Sequence, residues 1–490
     1  MAAALYVGKT RCGPCARIAA TRLLPAAAFA CLLAGCASLV PQRPAEPPVL
    51  DIPMAWSSGD GVTPGHPNTQ AWWRQFNDAQ LTALIEQALN ANTDVQGAVA
   101  SLRQARALVS VQAATLSPQV DASASAQRSK AAGTSASNLF RAGFDASWEP
   151  DLFGANHAGL AAARADALAS AASLGDVQIS IAAEVASAYL QWCGTRVRLN
   201  VARQNLDTQQ ETLQIAQWRT QAGLSTSLEV EQARTAVEQT RAQIPALEST
   251  IAQAAHSIAV LTGRAPGELP QLKNSTALEA PSAPDGLALT IPADTLRQRP
   301  DVRRAEQQVR AAAARATQAE AQRYPSFSLS GNIGLSALTL AALGGSGGST
   351  AGLLAAVSVP LFDGGALRAK VDAQDAALAG AGASYKGTVL GALQDVEDSL
   401  VSLRSAQERR VTLQRAAEAA DNASLIARQR YRSGLIDFQT VLDTQRSQLS
   451  AQDGLVLART DFAIAQVRLF KALGGGWAGA DATIQAADKP

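Results

Sequence analysis

Cysteine and histidine are the side chains of this 490-residue chain that could most readily do chemistry, and it has five of the first and three of the second. Cys12-Gly13-Pro14-Cys15 has the spacing of a thioredoxin-like redox motif, which works at a helix N-terminus inside a mature domain. Here the motif lies in a basic leader, so we expect no redox role. Cys193 has no predicted base nearby, and the histidines at 66, 157 and 256 fit no metal-ligand spacing. The sequence therefore predicts no enzyme, no metal site and no cofactor.

The first 35 residues are typical of a targeting segment. Basic residues, with no acidic residue before Glu46, precede an apolar run from Leu23 to Leu33. That run is too short for a permanent membrane-spanning helix. Leu33-Ala34-Gly35-Cys36 resembles the lipobox of bacterial lipoproteins, in which the chain is cut before a cysteine that carries diacylglycerol. We expect Cys36 to be lipidated, and the absence of Asp at position 37 favours the outer membrane. The alternative is an ordinary signal sequence in which Cys36 is a small apolar residue.

The composition favours long helices and gives no reason to expect a nucleic-acid partner. The chain carries 42 basic and 41 acidic residues, so its net charge is close to zero. Only 4% of its residues are aromatic, whereas alanine, glutamine, leucine and arginine dominate its middle part. These residues are good helix formers, and such a composition is typical of coiled coils.

The middle of the chain is an internal duplication. Gly223-Leu224 and Gly434-Leu435 each interrupt a helical pattern, and they lie 211 positions apart. At the same offset Gly263 matches Gly474, and a heptad stripe is repeated: Val230, Val237, Ile244, Ile251 and Ile258 fall on Val441, Gln448, Leu455, Phe462 and Leu469. A constant register of this kind indicates a structural repeat. The heptads predict two helical hairpins that turn at Gly223 and Gly434 and pair as left-handed coiled coils.

Each copy also contains a segment with the period of a β-strand. After Pro118 and Pro325 the apolar residues alternate with polar ones, which predicts a strand hairpin over 119–150 and another over 326–360. Strands of about 9 to 11 residues are long enough to cross a bilayer when tilted. The alternative is a pair of soluble hairpins. Four strands cannot close a membrane barrel, and open edges are forbidden in lipid, so a membrane role requires several chains to share one barrel.

These patterns predict six regions in the chain. They are a signal peptide at 1–35, a lipid-anchored extended tether at 36–70, a first repeat at 71–263, a linker at 264–292, a second repeat at 293–474 and a tail at 475–490. Each repeat has a helix, a strand hairpin and a long helical hairpin. A single helix is expected from Gln80 to about Leu116, and the long helices are expected over 155–222 and 366–433.

The ordered set of motifs resembles a known family. The lipobox, the two strand and helix hairpins, the Gly-Leu turns and Leu361-Phe362-Asp363-Gly364-Gly365 together resemble the TolC superfamily of outer-membrane efflux factors, in its lipoprotein branch of the OprM and NodT type. The resemblance covers about Ala71 to Trp477. It implies a mainly α fold with a membrane β-barrel portion. Four strands from each protomer of a homotrimer would form a shared 12-stranded barrel, continued by a coiled-coil helical tunnel.

The same resemblance implies the function. Such a protein is the passive exit duct of a tripartite efflux pump, joined through a periplasmic adaptor protein to an inner-membrane pump of the RND type. It would be anchored by lipid in the outer membrane, with a large periplasmic part and no cofactor. The alternative is a lipid-anchored periplasmic coiled-coil scaffold or adaptor without a barrel. The sequence names no cargo, since the pump selects it.

Residue roles also follow from the resemblance. Gly223-Leu224 and Gly434-Leu435 match the tip motif where the adaptor docks. At the periplasmic gate, Asp443 matches an aspartate that rings the pore axis, Glu229 an acidic position on the other hairpin, and Tyr431 a tyrosine that tethers neighbouring helices. Three copies of Asp443 would attract cations. The sequence departs from some relatives at Thr440, where they carry a second aspartate, and at Ile436, where they carry an arginine. The alternatives are a solvated carboxylate for Asp443 and ordinary packing for Tyr431.

Overall fold

The computed structural model describes residues 40–57, 71–130, 132–133, 135–268, 272, 281, 295–296, 298–345 and 348–476. The predicted signal peptide, the lipidation site at Cys36, most of the predicted linker and most of the tail lie outside these residues. The chain forms two compact units. One comprises Met1–Pro47, Ala105–Ala167 and Gln308–Gly382, and the other comprises Pro48–Gln104, Leu168–Gln307 and Ala383–Pro490.

The described residues form seven α-helices and four strands, together with short 3₁₀ turns at Trp72–Phe76 and Leu340–Gly344. In chain order these are α1 (Ala79–Ala91), α2 (Thr93–Ala114), β1 (Gln119–Ser129), β2 (Ser137–Trp148), α3 (Ala155–Gln221), α4 (Ser227–Leu261), α5 (Pro300–Ala321), β3 (Ser326–Ala337), β4 (Ser349–Ser358), α6 (Ala366–Arg432) and α7 (Phe438–Ala472). Across the part of the chain that is described, no helix has the length and apolar character needed to traverse a bilayer.

The duplication is visible in the lengths of these elements. The long helices α3 and α6 each have 67 residues, and the shorter helices α4 and α7 each have 35. At about 1.5 Å per residue each long helix spans about 100 Å. Both long helices end one residue before the expected positions, 222 and 433, because the turn at the following glycine begins there. Helix α5 begins at Pro300. Proline suits this position because an amide hydrogen in the first turn would have no partner within the helix.

The four strands form one antiparallel sheet in the order β1-β2-β3-β4. Phe144 on β2 faces Ala122 on β1 and Ile333 on β3, whereas its neighbour Asp145 faces Asp121 and Asn332. Because successive side chains alternate between faces, the register gathers an apolar face and a polar face, as the sequence predicts. The apolar face is largely uncovered in the single chain: Phe144, Ile333, Leu353 and Val357 are all exposed.

Asn92 divides the first helical stretch, which the sequence pattern predicts as a single helix. The side-chain oxygen of Asn92 accepts hydrogen bonds from the amides of Asp94 at 2.8 Å and Val95 at 3.2 Å. It therefore caps α2 and ends α1 one residue earlier. Its side-chain nitrogen donates to the carbonyl of Leu261, at the end of α4, at 3.0 Å. In the second copy Arg299 makes the corresponding bond to a helix end. Its guanidinium donates to the carbonyl of Ala472, the last residue of α7, at 2.9 Å.

The main core of the second unit joins the start of the first repeat to α3 and α7. Trp72 is fully buried and stacks on Phe470, with the ring centroids 5.4 Å apart. Asp78 caps α1 by accepting from the amides of residues 80 and 81, and its other oxygen accepts from the Tyr189 hydroxyl at 3.0 Å. Apolar burial and a partly buried hydrogen bond thus fix where α1 begins relative to α3.

The described part of the predicted tether, residues 40–57, contains no helix or strand. In the first unit Arg43 makes a bidentate ion pair with Asp375 on α6, with distances of 2.8 and 2.9 Å. Bidentate arginine–carboxylate pairs fix orientation as well as distance. In the second unit Trp56 packs against a cluster that includes Val396 and Leu469. These residues therefore lie on the folded protein at both ends of the described stretch.

Candidate functional site

The tips of the two helical hairpins have the same backbone geometry. Gly223 and Gly434 have φ values of 72° and 74°, in the left-handed region that side-chain-bearing residues rarely adopt. The amide of Leu224 donates to the carbonyl of Arg219 at 2.8 Å, and that of Leu435 to Arg430 at 2.9 Å. This is the Schellman pattern of helix termination. It leaves Leu224 and Leu435 70% and 73% exposed at the end of each hairpin.

Thr440 is part of the cap that starts α7. Its amide and its hydroxyl both donate to one oxygen of Asp437, at 2.7 and 2.6 Å. These bonds stabilise the carboxylate, so the pKa of Asp437 is lowered. The first hairpin lacks this arrangement, because Thr226 makes no side-chain capping bond to α4. The bonds to Asp437 therefore fix the direction in which α7 leaves the second turn. They also fix the positions of the residues that follow Thr440 in α7.

Tyr431 and Glu229 lie together, on opposite hairpins. Tyr431, in the last turn of α6, donates its hydroxyl hydrogen to the Glu229 carboxylate at 2.9 Å, and Glu229 lies in the first turn of α4. Tyr431 is 4% exposed, and its ring contacts Phe438 of α7 with the centroids 5.3 Å apart. Burial, helped by the hydrogen bond and the charge of Glu229, raises the pKa of Tyr431 to about 12. The hydroxyl is therefore a hydrogen-bond donor at neutral pH.

Arg219 completes this group, which we call the Tyr431 cluster: Arg219, Glu229, Tyr431 and Phe438. The guanidinium of Arg219 lies 4.7 Å from the centroid of the Tyr431 ring and donates to the Tyr431 carbonyl at 3.1 Å. A cation over an aromatic face adds about 0.5 to 2 kcal/mol. The sequence interpretation missed Arg219. The available signal was a basic residue in the last turn of α3. A positive charge there also stabilises the helix C-terminus.

Small and apolar residues surround the Tyr431 cluster and let the hairpins approach closely. They are Ala216, Ala233, Ala236, Ala427, Val441 and Leu442, all of them buried. Farther from the tips the contact between α3 and α7 becomes polar. Gln445 donates to the Thr212 hydroxyl at 2.9 Å, and Arg198 pairs with Asp453 at 2.6 Å. The first hairpin is therefore joined to the second by a tyrosine contact at the tips and by a polar seam beyond it.

Asp443 does not belong to the Tyr431 cluster. Its side chain is 58% exposed, and its polar partners among the described residues lie on its own helix: Gln439 at 3.0 Å and Arg446 at 3.7 Å. Of the predicted gate residues, the structure thus brings Glu229 and Tyr431 together, gives Thr440 a capping role, and leaves Asp443 on the exposed surface of α7. Its expected role requires other copies of the chain and stays a prediction.

The side chains that could do chemistry elsewhere are held in structural contacts. Cys193 is fully buried, and burial raises the pKa of its thiol to about 12, so it is protonated at neutral pH. His157 contacts the Asp151 carboxylate at 2.6 Å at the start of α3. Within the residues that the structure describes, no group of three His, Cys, Asp or Glu side chains could hold a metal ion.

Comparison with known proteins identifies a family and relatives that match this chain. Residues 84–264 and 291–475 match the family model described as outer membrane efflux protein. The chain is 31% identical to the antibiotic efflux pump outer membrane protein ArpC of Pseudomonas putida, over 93% of this chain and 96% of the relative. It is also 31% identical to nodulation protein T of Rhizobium leguminosarum bv. viciae, over 93% of this chain and 94% of that protein.

Solved structures agree with these matches. The outer-membrane channel OprN superposes with a TM-score of 0.81 at 33% identity, over 89% of this chain and all of the OprN chain. The outer membrane protein VceC of Vibrio cholerae superposes with a TM-score of 0.77 at 27% identity, over 84% of this chain and all of VceC. The predicted fold class is therefore confirmed.

The comparisons also decide between the two predicted functions. Relatives that match over nearly their whole length are outer membrane components of efflux pumps, which work with an adaptor and an inner-membrane pump. They confirm the predicted export function, partners and outer-membrane location, and the alternative of a scaffold without a barrel is wrong. The chain belongs to the outer membrane efflux protein family, in the TolC superfamily.

Proposed function

We propose that this protein is the passive exit duct of an efflux pump whose periplasmic entrance is held shut by the Tyr431 cluster. The supporting observation is the hydrogen bond from Tyr431 to Glu229, which joins the second helical hairpin to the first immediately beside the tips. Opening an entrance there requires the hairpins to separate. The buried tyrosine hydroxyl and Glu229 would then lose each other as partners, which opposes opening.

The sheet supports a channel shared by three copies. In a single chain β1 and β4 are both edge strands, and the apolar face is exposed. Unpaired edges cannot exist in hydrocarbon, so each β4 must pair with β1 of another copy until the barrel closes. Three copies of four strands give twelve. The apolar face then meets lipid, and the polar face, with Asp121, Asp145 and Asn332, lines the lumen.

The N-terminal segment and the two hairpin tips supply the anchor and the docking surface of this proposal. Cys36, in its lipobox, would carry the lipid that holds the N-terminus in the outer membrane. Leu224 and Leu435, exposed at the tips, would meet the adaptor, and an RND pump in the inner membrane would supply the cargo. The exposed Asp443 would form a ring of three carboxylates behind the tips. Exposed apolar side chains that lie together on a surface mark sites where a protein partner binds.

The side chains of this protein fit passive conduction better than they fit catalysis. The buried thiol of Cys193 is protonated, and the Tyr431 cluster contains no nucleophile activated by a base. Relatives carry names that refer to antibiotics, toluene and pyoverdine, which differ greatly in chemistry. A duct common to such cargoes cannot be the main source of selectivity. We therefore assign the choice of cargo to the pump.

The test of the closed entrance is Tyr431→Phe. This change removes the hydroxyl but keeps the ring under Arg219 and against Phe438. The loss of a hydrogen bond to a charged group should shift the open-to-closed ratio by about tenfold in favour of the open state. Single-channel recording in planar bilayers measures this ratio.

Tyr385→Phe is the matched control. Tyr385 packs in another apolar cluster of the second unit, beside Val389, and lies far along α6 from the tip glycine Gly434. It should leave the open-to-closed ratio unchanged. Equal ratios for Tyr431→Phe and the unmodified protein would remove the Tyr431 cluster from the entrance.

A further inference from the structure

The contact between the two helical hairpins keeps a regular register beyond the Tyr431 cluster. Gln445 of α7 donates to the Thr212 hydroxyl of α3 at 2.9 Å. Seven residues farther along α7, the oxygen of Gln452 accepts at 2.8 Å from Asn205, which lies seven residues earlier in α3. Gln209 lies between these two contacts, three residues from Thr212 and four from Asn205. It is therefore on the side of α3 that faces α7.

Helix α6 borders the same stretch of α7. Gln448 and Gln452 of α7 both donate to one carboxylate oxygen of Asp421 of α6, at 3.0 and 2.7 Å. Ser424 lies three residues after Asp421, and Gln445 lies three residues before Gln448. Because α6 and α7 are antiparallel, these spacings place Ser424 beside Gln445. We call the residues of these contacts the polar layer: Asn205, Gln209, Thr212, Asp421, Ser424, Gln445, Gln448 and Gln452.

Three residues of the polar layer carry a buried atom that makes no hydrogen bond. Gln209, Ser424 and Gln445 are 4%, 0% and 2% exposed. Within the residues that the structure describes, the side-chain oxygen of each is shielded from solvent and has no hydrogen-bond partner. Such atoms are rare in native proteins, because burial removes the hydrogen bonds that water supplies. The packed hairpins therefore carry a free-energy cost at three neighbouring positions.

Separation of the hairpins removes this cost. While α3, α6 and α7 stay packed, solvent does not reach the three oxygens. When α7 moves away from α3 and α6, water can enter the polar layer and donate hydrogen bonds to them. A polar group that is unpaired in one state and hydrated in the other favours the hydrated state.

The chemistry of the polar layer suits water better than an ion. The Nε atom of Arg428, four residues after Ser424 on α6, is also buried without a partner among the described residues. It is a hydrogen-bond donor on a charged group, whereas the other three atoms are acceptors. A cation would meet the positive charge of Arg428, and an anion would meet the oxygens of the glutamines. Water both donates and accepts, so it satisfies all four.

We propose that the polar layer is a hydration switch, which water enters as the hairpins separate and which thereby favours the open entrance. This inference rests on the proposed entrance at the Tyr431 cluster and adds a contribution of opposite sign to it. The bond from Tyr431 to Glu229 favours the packed hairpins, whereas the oxygens of Gln209, Ser424 and Gln445 favour their separation. Opposed contributions keep the free-energy difference between two states small, so that a binding partner can shift it.

The test uses Gln209→Met and Ser424→Ala, which remove an unpartnered oxygen and keep the side chain similar in size. Each change should lower the open-to-closed ratio about tenfold, because the packed state loses its unpaired atom. Single-channel recording in planar bilayers measures the ratio. Both changes are made in the Tyr431→Phe protein, in which the open state is populated enough to be counted. Gln445 is left unchanged, since its nitrogen binds Thr212.

Asn205→Leu is the matched control, with an expected effect of opposite sign. Asn205 is 6% exposed and lies one helical turn from Gln209, but its nitrogen donates to Gln452 and to the carbonyl of Val201. Its loss leaves the Gln452 oxygen unpaired in the packed state, so the open-to-closed ratio should rise about tenfold. A Gln209→Met change that leaves the ratio as it is, or shifts it in the same direction as Asn205→Leu, would overturn the inference.

The recordings separate this inference from the proposed function. If Tyr431→Phe raises the open-to-closed ratio but Gln209→Met does not lower it again, the hydration switch is wrong and the entrance stands. If Tyr431→Phe does not change the ratio, the proposed entrance fails and the inference fails with it. Thermal unfolding adds a second measurement, in which Gln209→Met should not lower the melting temperature. A clear decrease would mean that the amide of Gln209 has a partner in the packed state, which would also overturn the inference.

Discussion

At the scale of single residues, the contacts of Tyr431 depend on three separate helices. The resemblance placed Tyr431 and Glu229 near the entrance, because both are close in sequence to a Gly-Leu turn. Arg219 was missed because its contact with Tyr431 depends on how α3 crosses α6, which no local pattern encodes. Thr440 was predicted as a gate residue at a position where some relatives carry an aspartate, whereas in the structure it helps to cap α7 through its bonds to Asp437. Sequence motifs thus pointed to two members of the Tyr431 cluster, and packing determined the contacts within it.

Asp443 yields a prediction at this scale. Asp443→Ala removes an exposed carboxylate whose partners are on its own helix, so it should leave the fold unchanged. In a trimer it removes three negative charges near the pore axis, which should raise passive conductance and weaken block by divalent cations. Planar-bilayer recordings with increasing Mg²⁺ measure this block. Asp461→Ala is the control, since Asp461 is an exposed carboxylate of the same helix far from the tips; identical block in all three proteins would exclude Asp443 from the gate.

At the scale of elements, the glycine turns made the long helices predictable. Gly223 and Gly434 stand where the backbone must be left-handed, so the ends of α3 and α6 fall within one residue of expectation. The strand boundaries follow from the change of period after Pro118 and Pro325. The break at Asn92 was missed because apolar residues continue at helical spacing on both sides of it. Asparagine favours helix caps over helix interiors, so Asn92 itself was the available signal for the break.

Asn92 therefore provides a prediction for the element scale. Asn92→Ala removes the cap of α2 and the bond to the Leu261 carbonyl, which should lower the free energy of unfolding by about 1 to 3 kcal/mol. Asn92→Asp keeps the capping oxygen but loses the donor, so its loss should be smaller. Denaturant unfolding followed by circular dichroism compares the two. An alanine variant as stable as the unmodified protein would mean that neither bond matters.

At the scale of the whole molecule, the single chain cannot form a closed barrel by itself. Its sheet has two free edges and an exposed apolar face. The sequence already indicated this, because four membrane-length strands are too few for a barrel. It could not indicate that α3 meets α7 through Thr212 and Gln445, since that contact depends on how the two hairpins pack.

The lipid anchor gives a prediction at the same scale. Cys36→Ser should abolish metabolic palmitate labelling, because serine cannot take the place of the thiol. It should leave trimers intact, since Arg43 holds the adjoining segment to Asp375 through side chains rather than lipid. Palmitate labelling that persisted in the variant would refute the anchor at Cys36. The control is Cys31→Ser, which changes another cysteine of the leader and should leave labelling as it is.

The most direct test of the account is the mass and conductance of the purified protein. Native mass spectrometry should give the mass of three chains, and the same preparation should produce discrete conductance steps in planar bilayers. Both results follow from a barrel that one chain cannot close and that three copies would close with twelve strands. A stable monomer that inserts in lipid, or a trimer that never conducts even with the Tyr431→Phe change, would contradict it.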